Sequence, residues 1–128
     1  MATFTQITSF LLLLCLVHFS CANQKVLPPN RKIDFDMNTI DKAGLIGPPN
    51  GKVALSYEFC IPAEDKYVQE VQQIDPSLRI NKIAKGRVGC SKVEWLCIGN
   101  THQENAKSKI QQLAELSYVK RIQRAYFE

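Results

Sequence analysis

No residue among the first 22 carries a charged side chain; all 16 lysines and arginines and all 12 aspartates and glutamates of the 128-residue chain come later. No apolar run approaches the roughly 20 residues that a membrane-crossing helix needs, which argues against a retained membrane span. There is no Asn-x-Ser/Thr sequon, so N-linked glycosylation is excluded. There is no Cys-x-x-Cys pair, and beyond residue 22 the only histidine is His102. The spacings therefore match no structural zinc site and no copper-carrying domain, and no metal or cofactor is expected. A formal net charge of +4 is too mild to indicate nucleic-acid binding and suits solubility.

The charge-free start has a use of its own. Phe10-Leu-Leu-Leu-Leu-Cys-Leu-Val17 is uninterrupted apolar sequence, and Ser20-Cys21-Ala22 follows it. A short apolar core before a small-x-small triplet is the pattern of a secretory signal. Residues 1–22 are read as a signal peptide cut between Ala22 and Asn23. The competing readings are a retained anchor and lipid modification at Cys21. The expected location is secreted or periplasmic. Cleavage leaves about 106 residues of the 128, enough for one modest core.

Cleavage also leaves three cysteines, Cys60, Cys90 and Cys97. In an oxidising compartment this implies one disulfide and one spare thiol. Cys90–Cys97 is the expected bridge, across the tip of a hairpin formed by residues 91–96, with Cys60 packed as a free thiol. Cys60–Cys97 is the competing bridge, and Cys60–Cys90 a third arrangement.

Residues 23–52 read as an irregular arm. Pro28-Pro29-Asn30 and Pro48-Pro49-Asn50-Gly51 are loop signals. Between them, Ile33-Asp-Phe-Asp-Met-Asn38 alternates with period 2, as an extra edge strand would. Residues 53–128 carry a sharper pattern. Val53, Leu55, Tyr57, Phe59 and Ile61 alternate as one face of a strand that Pro62 stops. Glu64–Ile74 has helical spacing, ended by Asp75-Pro76. Leu78–Cys90 reads as a basic strand bent near Gly86, and Val93–Ile98 as the next strand. Thr101-His-Gln-Glu104 has the form of a capping box for a helix to about Leu116. Tyr118–Phe127 is the last strand.

The order strand, helix, strand, strand, helix, strand predicts an α+β, ferredoxin-like βαββαβ split sandwich. Its second and fourth strands lie at the edges, and both are basic here: Arg79, Lys82, Lys85 and Arg87 on one, Lys120, Arg121 and Arg124 on the other. Lysine on an edge discourages strand-to-strand aggregation.

No catalytic constellation emerges. Asp34-x-Asp36-x-Asn38 opens like a calcium loop, but Thr39 stands where glycine is needed and Leu45 where a bidentate glutamate belongs. Cys97 and His102 have no third residue to orient the imidazole. Trp95 is expected in an aromatic cluster with Tyr57 and Phe59. Gln111–Phe127, with Leu113-Ala-Glu-Leu-Ser-Tyr-Val-Lys-Arg-Ile122, resembles the closing helix and strand of subtilisin-type propeptides and inhibitors built like them. That resemblance implies inhibition or chaperoning of an exported protease. The family's cleft-entering tail is expected to be missing or very short after Glu128.

The leading expectation is an exported, non-catalytic domain binding a protein or small-molecule ligand through its sheet or its arm. A protease inhibitor or chaperone is second and a small exported enzyme third. Intact-mass measurement of the secreted product should give a chain starting at Asn23; a product retaining residues 1–22, or starting at a lipidated Cys21, would overturn the export reading.

Overall fold

The computed structural model describes residues 27–127. The expected signal peptide, its expected cut at Ala22/Asn23, Cys15 and Cys21 lie outside the described residues. Among those described are an α+β arrangement of three helices, a four-stranded antiparallel sheet and a two-stranded one.

The four-stranded sheet is built on β3 (Ser56–Pro62). Side chains alternate across a strand, so Tyr57, Phe59 and Ile61 share one face and are all fully buried. β5 (Glu94–Asn100) pairs antiparallel on one side of β3, with Phe59 opposite Cys97 and Cys60 opposite Leu96. β6 (Ile122–Ala125) pairs antiparallel on the other, with Phe59 opposite Ile122. β4 (Arg79–Asn81) pairs with β5 and completes the order β4-β5-β3-β6. The outer strands are thus β4 and β6, as expected, but of the cations expected on them only Arg79 and Arg124 lie within the strands.

α2 (Asp65–Ile74) and α3 (Ala106–Glu115) bring Val71, Ile110, Leu113 and Ala114 into one buried cluster with Tyr57 and Phe59. α2 ends where expected, since Asp75, preceding Pro76, is extended. α3 starts later than expected. Thr101 is not its cap but is wholly buried: its hydroxyl accepts from the Leu55 N–H at 2.9 Å and donates to the Gly44 carbonyl at 2.5 Å. The helix begins after Asn105, which takes a left-handed conformation at φ 55°. A hydroxyl engaged by two partners distant in sequence is not free to serve a helix end.

The arm differs from an edge strand. α1 (Pro29–Lys32) leads to a single parallel bridge, Ile33 to Ile122, and then to a 3₁₀ turn at Met37–Thr39. β1 (Leu45–Ile46) and β2 (Val53–Ala54) form a hairpin around Pro48–Gly51. Val53 thus belongs to the hairpin and is exposed, while Leu55 begins the buried series. Ile40 joins the main core, and the Lys32 ammonium donates to the Leu116 carbonyl at 3.0 Å.

β4 is also shorter than the expected strand Leu78–Cys90. The Asn81 side-chain oxygen accepts from the Ile83 and Ala84 N–H groups and turns the chain out of the sheet. Residues 82–93 then form a strap over the sheet face away from Tyr57. A Cβ on Gly86 would lie 2.7 Å from a Leu96 methyl carbon, so the strap backbone lies directly on β5. The Val88 N–H donates to the Glu58 carboxylate at 2.7 Å.

The strap corrects the disulfide. Cys60 bonds Cys90, with Cα atoms 5.5 Å apart, and Cys97 is the buried free thiol. Cys97 lies opposite Phe59, on the helix-covered face; Cys60 lies opposite Leu96, on the strap face. Strand parity therefore separates Cys97 from both possible partners. A Cys90–Cys97 hairpin would also have needed β4 to continue to Cys90.

Non-reducing peptide mapping should link the Cys60 and Cys90 peptides and label Cys97 only after denaturation. Replacing both bridged cysteines with alanine should cost about 3–4 kcal/mol in the chain-entropy model for a 30-residue separation. A linked peptide containing Cys97 would refute this connectivity.

Candidate functional site

Ile33, Phe35 and Met37 alternate in sequence, yet no strand forms beyond the Ile33 bridge. Two contacts accompany this departure from the sheet, one with a residue distant in sequence and one local. The Asp34 carboxylate pairs with the Arg121 guanidinium, and the Asp36 carboxylate accepts from the Asn38 N–H at 2.9 Å to cap the 3₁₀ turn. The three apolar side chains pack partly against the core and line a groove of about 620 Å³ beside α3. Pro29 and Asn30 of α1 and Gln111 and Glu115 of α3 complete its walls. Its size falls in the usual range of ligand pockets. Among the described residues, its polar margin includes two carboxylates, Asp36 and Glu115, and no lysine or arginine. Half-exposed apolar walls with an anionic rim can hold an apolar group that lies next to a cation.

Asp34 is thus engaged by Arg121, and Asp36 by the Asn38 backbone N–H. Cys97 and His102 also differ in setting. Cys97 is fully buried, and burial pushes its thiol up to about 12, which disfavours the nucleophilic thiolate. His102 is exposed, and its backbone N–H donates to the Asn100 side-chain oxygen at 2.8 Å. Trp95 is half-buried opposite Ile61, and the Lys82 ammonium sits 4.0 Å from its ring centre. That contact has the geometry of a cation–π pair.

A buried polar cluster escaped the sequence reading. Asp75 was legible only as a helix stop, but its carboxylate is completely buried. It accepts from the Tyr57 hydroxyl, from the Ser77 hydroxyl at 2.6 Å and backbone N–H at 2.9 Å, and from the Gln103 amide at 2.9 Å. Lys109 donates to the other end of that amide at 2.6 Å. Burial pushes the Asp75 carboxyl up, but the hydrogen bonds from Ser77, Tyr57 and Gln103 outweigh it and hold the group below its ordinary value. Burial and the adjacent carboxylate push the Tyr57 hydroxyl upward. Asp75 therefore stays ionised and Tyr57 neutral through the physiological range. The cluster joins β3, the end of α2 and the approach to α3. The Asp75-Pro-Ser77 turn was a local signal for part of it; Tyr57, 18 positions earlier, gave none.

The sign of the Asp75 shift sets a pH dependence. A depressed folded-state value contributes stability above the unfolded carboxyl value, near 3.9, and loses it as pH falls through the folded value. Asp75→Asn should cost about 1–3 kcal/mol at neutral pH by weakening buried hydrogen bonds. Thermal melts should show the gap to the parent protein narrowing below about pH 4. A gap unchanged from neutral pH to pH 2 would show that Asp75 is not an ionised partner of Tyr57.

No protein-family model matches this chain, and neither a curated protein nor a solved structure matches it.

Proposed function

We propose that the chain is an exported, non-catalytic binding domain whose site is the groove between the N-terminal arm and α3. The ligand class is a peptide segment that carries a large apolar side chain next to a basic one. The observation that carries this reading is the groove itself: Ile33, Phe35 and Met37 remain only partly buried there, and Asp36 and Glu115 supply the charge on its margin. Of the two expected binding routes, the arm is favoured over the sheet. Helices cover one sheet face and the strap lies on the other.

The strand order supports a ferredoxin-like arrangement of the core. Numbered by first appearance within the four-stranded sheet, the strands lie in the order 2-3-1-4, with helices on the two long connections. The Cys60–Cys90 bridge fits an oxidising compartment and so supports export behind residues 1–22. Inhibition or chaperoning of an exported protease is the second reading, favoured by the exposure of Tyr126 and Phe127 just after β6.

Titration of isotope-labelled full chain with an alternating Leu-Lys peptide should shift the amide signals of Phe35, Met37 and Glu115. The matching Leu-Glu peptide should not shift them. Glu115→Lys, an exposed change, should weaken binding by roughly tenfold, the scale of a charge-assisted contact. Equal response to both peptides, or shifts confined to other surfaces, would sink the proposal.

A further inference from the structure

Eight of the 16 cations sit in two stretches that contain no carboxylate. Residues 76–93 hold Arg79, Lys82, Lys85, Arg87 and Lys92; residues 116–127 hold Lys120, Arg121 and Arg124. The fold brings these stretches together. The Glu58 carboxylate accepts from the Val88 N–H of the strap and the Gln123 amide of β6. Lys120 reaches Glu94, at the strap's far end, at 3.9 Å. The guanidiniums of Arg87 and Arg124 both lie over the Tyr126 ring.

Four acids among the described residues neighbour this surface. Glu58 is 5 % exposed and already holds two donors. The Glu94 side chain is 16 % exposed and accepts from the Ser91 N–H. Asp34 and Asp65 each meet a single cation, Arg121 and Lys82. Lys85 and Lys92 stand exposed on the strap.

Large apolar side chains coincide with this charge. Of six that are exposed among the described residues, four belong to the same two stretches: Ile83 at 95 %, Val93 at 74 %, Phe127 at 64 % and Tyr126 at 56 %. In sequence they read Lys82-Ile83-Ala84-Lys85, Lys92-Val93 and Arg124-Ala125-Tyr126-Phe127. A soluble polyanion would use the cations and leave these side chains in water. A lipid surface uses both, the headgroups meeting the cations and the apolar side chains entering the interface.

We infer that the strap and β6 form a docking surface for an anionic lipid bilayer. Binding is peripheral, as no helix among the described residues is long and apolar enough to cross a membrane. The surface shares no residue with the arm groove and stands independently of it. The carboxylates of α2, Asp65 and Glu70, lie outside both stretches and disfavour docking through that helix.

Sedimentation of the full chain with phosphatidylcholine vesicles, with and without phosphatidylglycerol, tests this. Phe10–Val17 is common to all variants, so the difference between anionic and neutral vesicles is the quantity read. The parent protein should prefer anionic vesicles, less so as salt rises. Lys85→Gln with Lys92→Gln should weaken that preference by on the order of 25-fold, about fivefold for each cation. Ile83→Ser with Phe127→Ser should lower anionic binding by roughly tenfold or more with the salt dependence unchanged. No preference for anionic vesicles would overturn the inference. So would loss in the lysine variant alone, which would assign the face to a soluble polyanion such as a sulfated polysaccharide.

Discussion

The two faces of β3 impose the constraint from which the other elements follow. Tyr57, Phe59 and Ile61 point one way, Glu58 and Cys60 the other, and the strand is paired on both edges. Burying each large side chain of the first set contributes about 1.5–3 kcal/mol relative to exposure, so that face must be covered by apolar stripes. α2 and α3 supply them. The fit is close enough to fix a residue on the next strand. Gly99 lies opposite Tyr57, and a Cβ there would stand 2.2 Å from the ring. The tyrosine crosses over β5 at that point and delivers its hydroxyl to Asp75.

The other face has a different need. Glu58 is a nearly buried carboxylate in the middle of a sheet, and such a group is costly unless donors reach it. The strap provides one through Val88, and Cys90 anchors the same segment to Cys60 two residues along β3. Apart from Cys90 and the half-buried Val88, the strap side chains from Lys82 to Val93 are exposed. Hydrogen bonds and one covalent link hold it, with little apolar burial. That explains how a segment lying on a sheet remains free to display cations and an almost fully exposed isoleucine.

The legible parts of the sequence were those governed by local pattern. The alternation from Leu55 to Ile61 and the helical spacing before Asp75-Pro76 have short-range causes, and both appear in the structure; of the cations expected on the edge strands only Arg79 and Arg124 lie within them. One error came where distant partners outcompeted a local motif, and another where a local side chain ended a strand early. Thr101-x-x-Glu104 has every local mark of a capping box, yet Leu55 and Gly44 claim the hydroxyl. Leu78–Cys90 contains enough β-branched residues for a strand, but the Asn81 side chain satisfies the next two N–H groups that could have extended it. The preferred Cys90–Cys97 bridge depended on that strand and failed with it. The groove was half legible: Ile33, Phe35 and Met37 do share a face, but the face borders α3 rather than continuing a sheet.

The protonation states of the buried groups bear on what kind of work this scaffold does. An acid–base catalyst needs a group that exchanges protons near the working pH. Cys97 and Tyr57 are pushed upward by burial and Asp75 is held down by its donors, so each is fixed in one state. Such groups act as permanent hydrogen-bond partners, or in the case of Cys97 as apolar packing. The charges that can respond to another molecule are instead on the exterior: carboxylates beside the arm groove, cations on the strap and β6. In the proposed reading, recognition draws on these exterior charges and the apolar side chains beside them, and the two-faced sheet separates the arm groove from the strap.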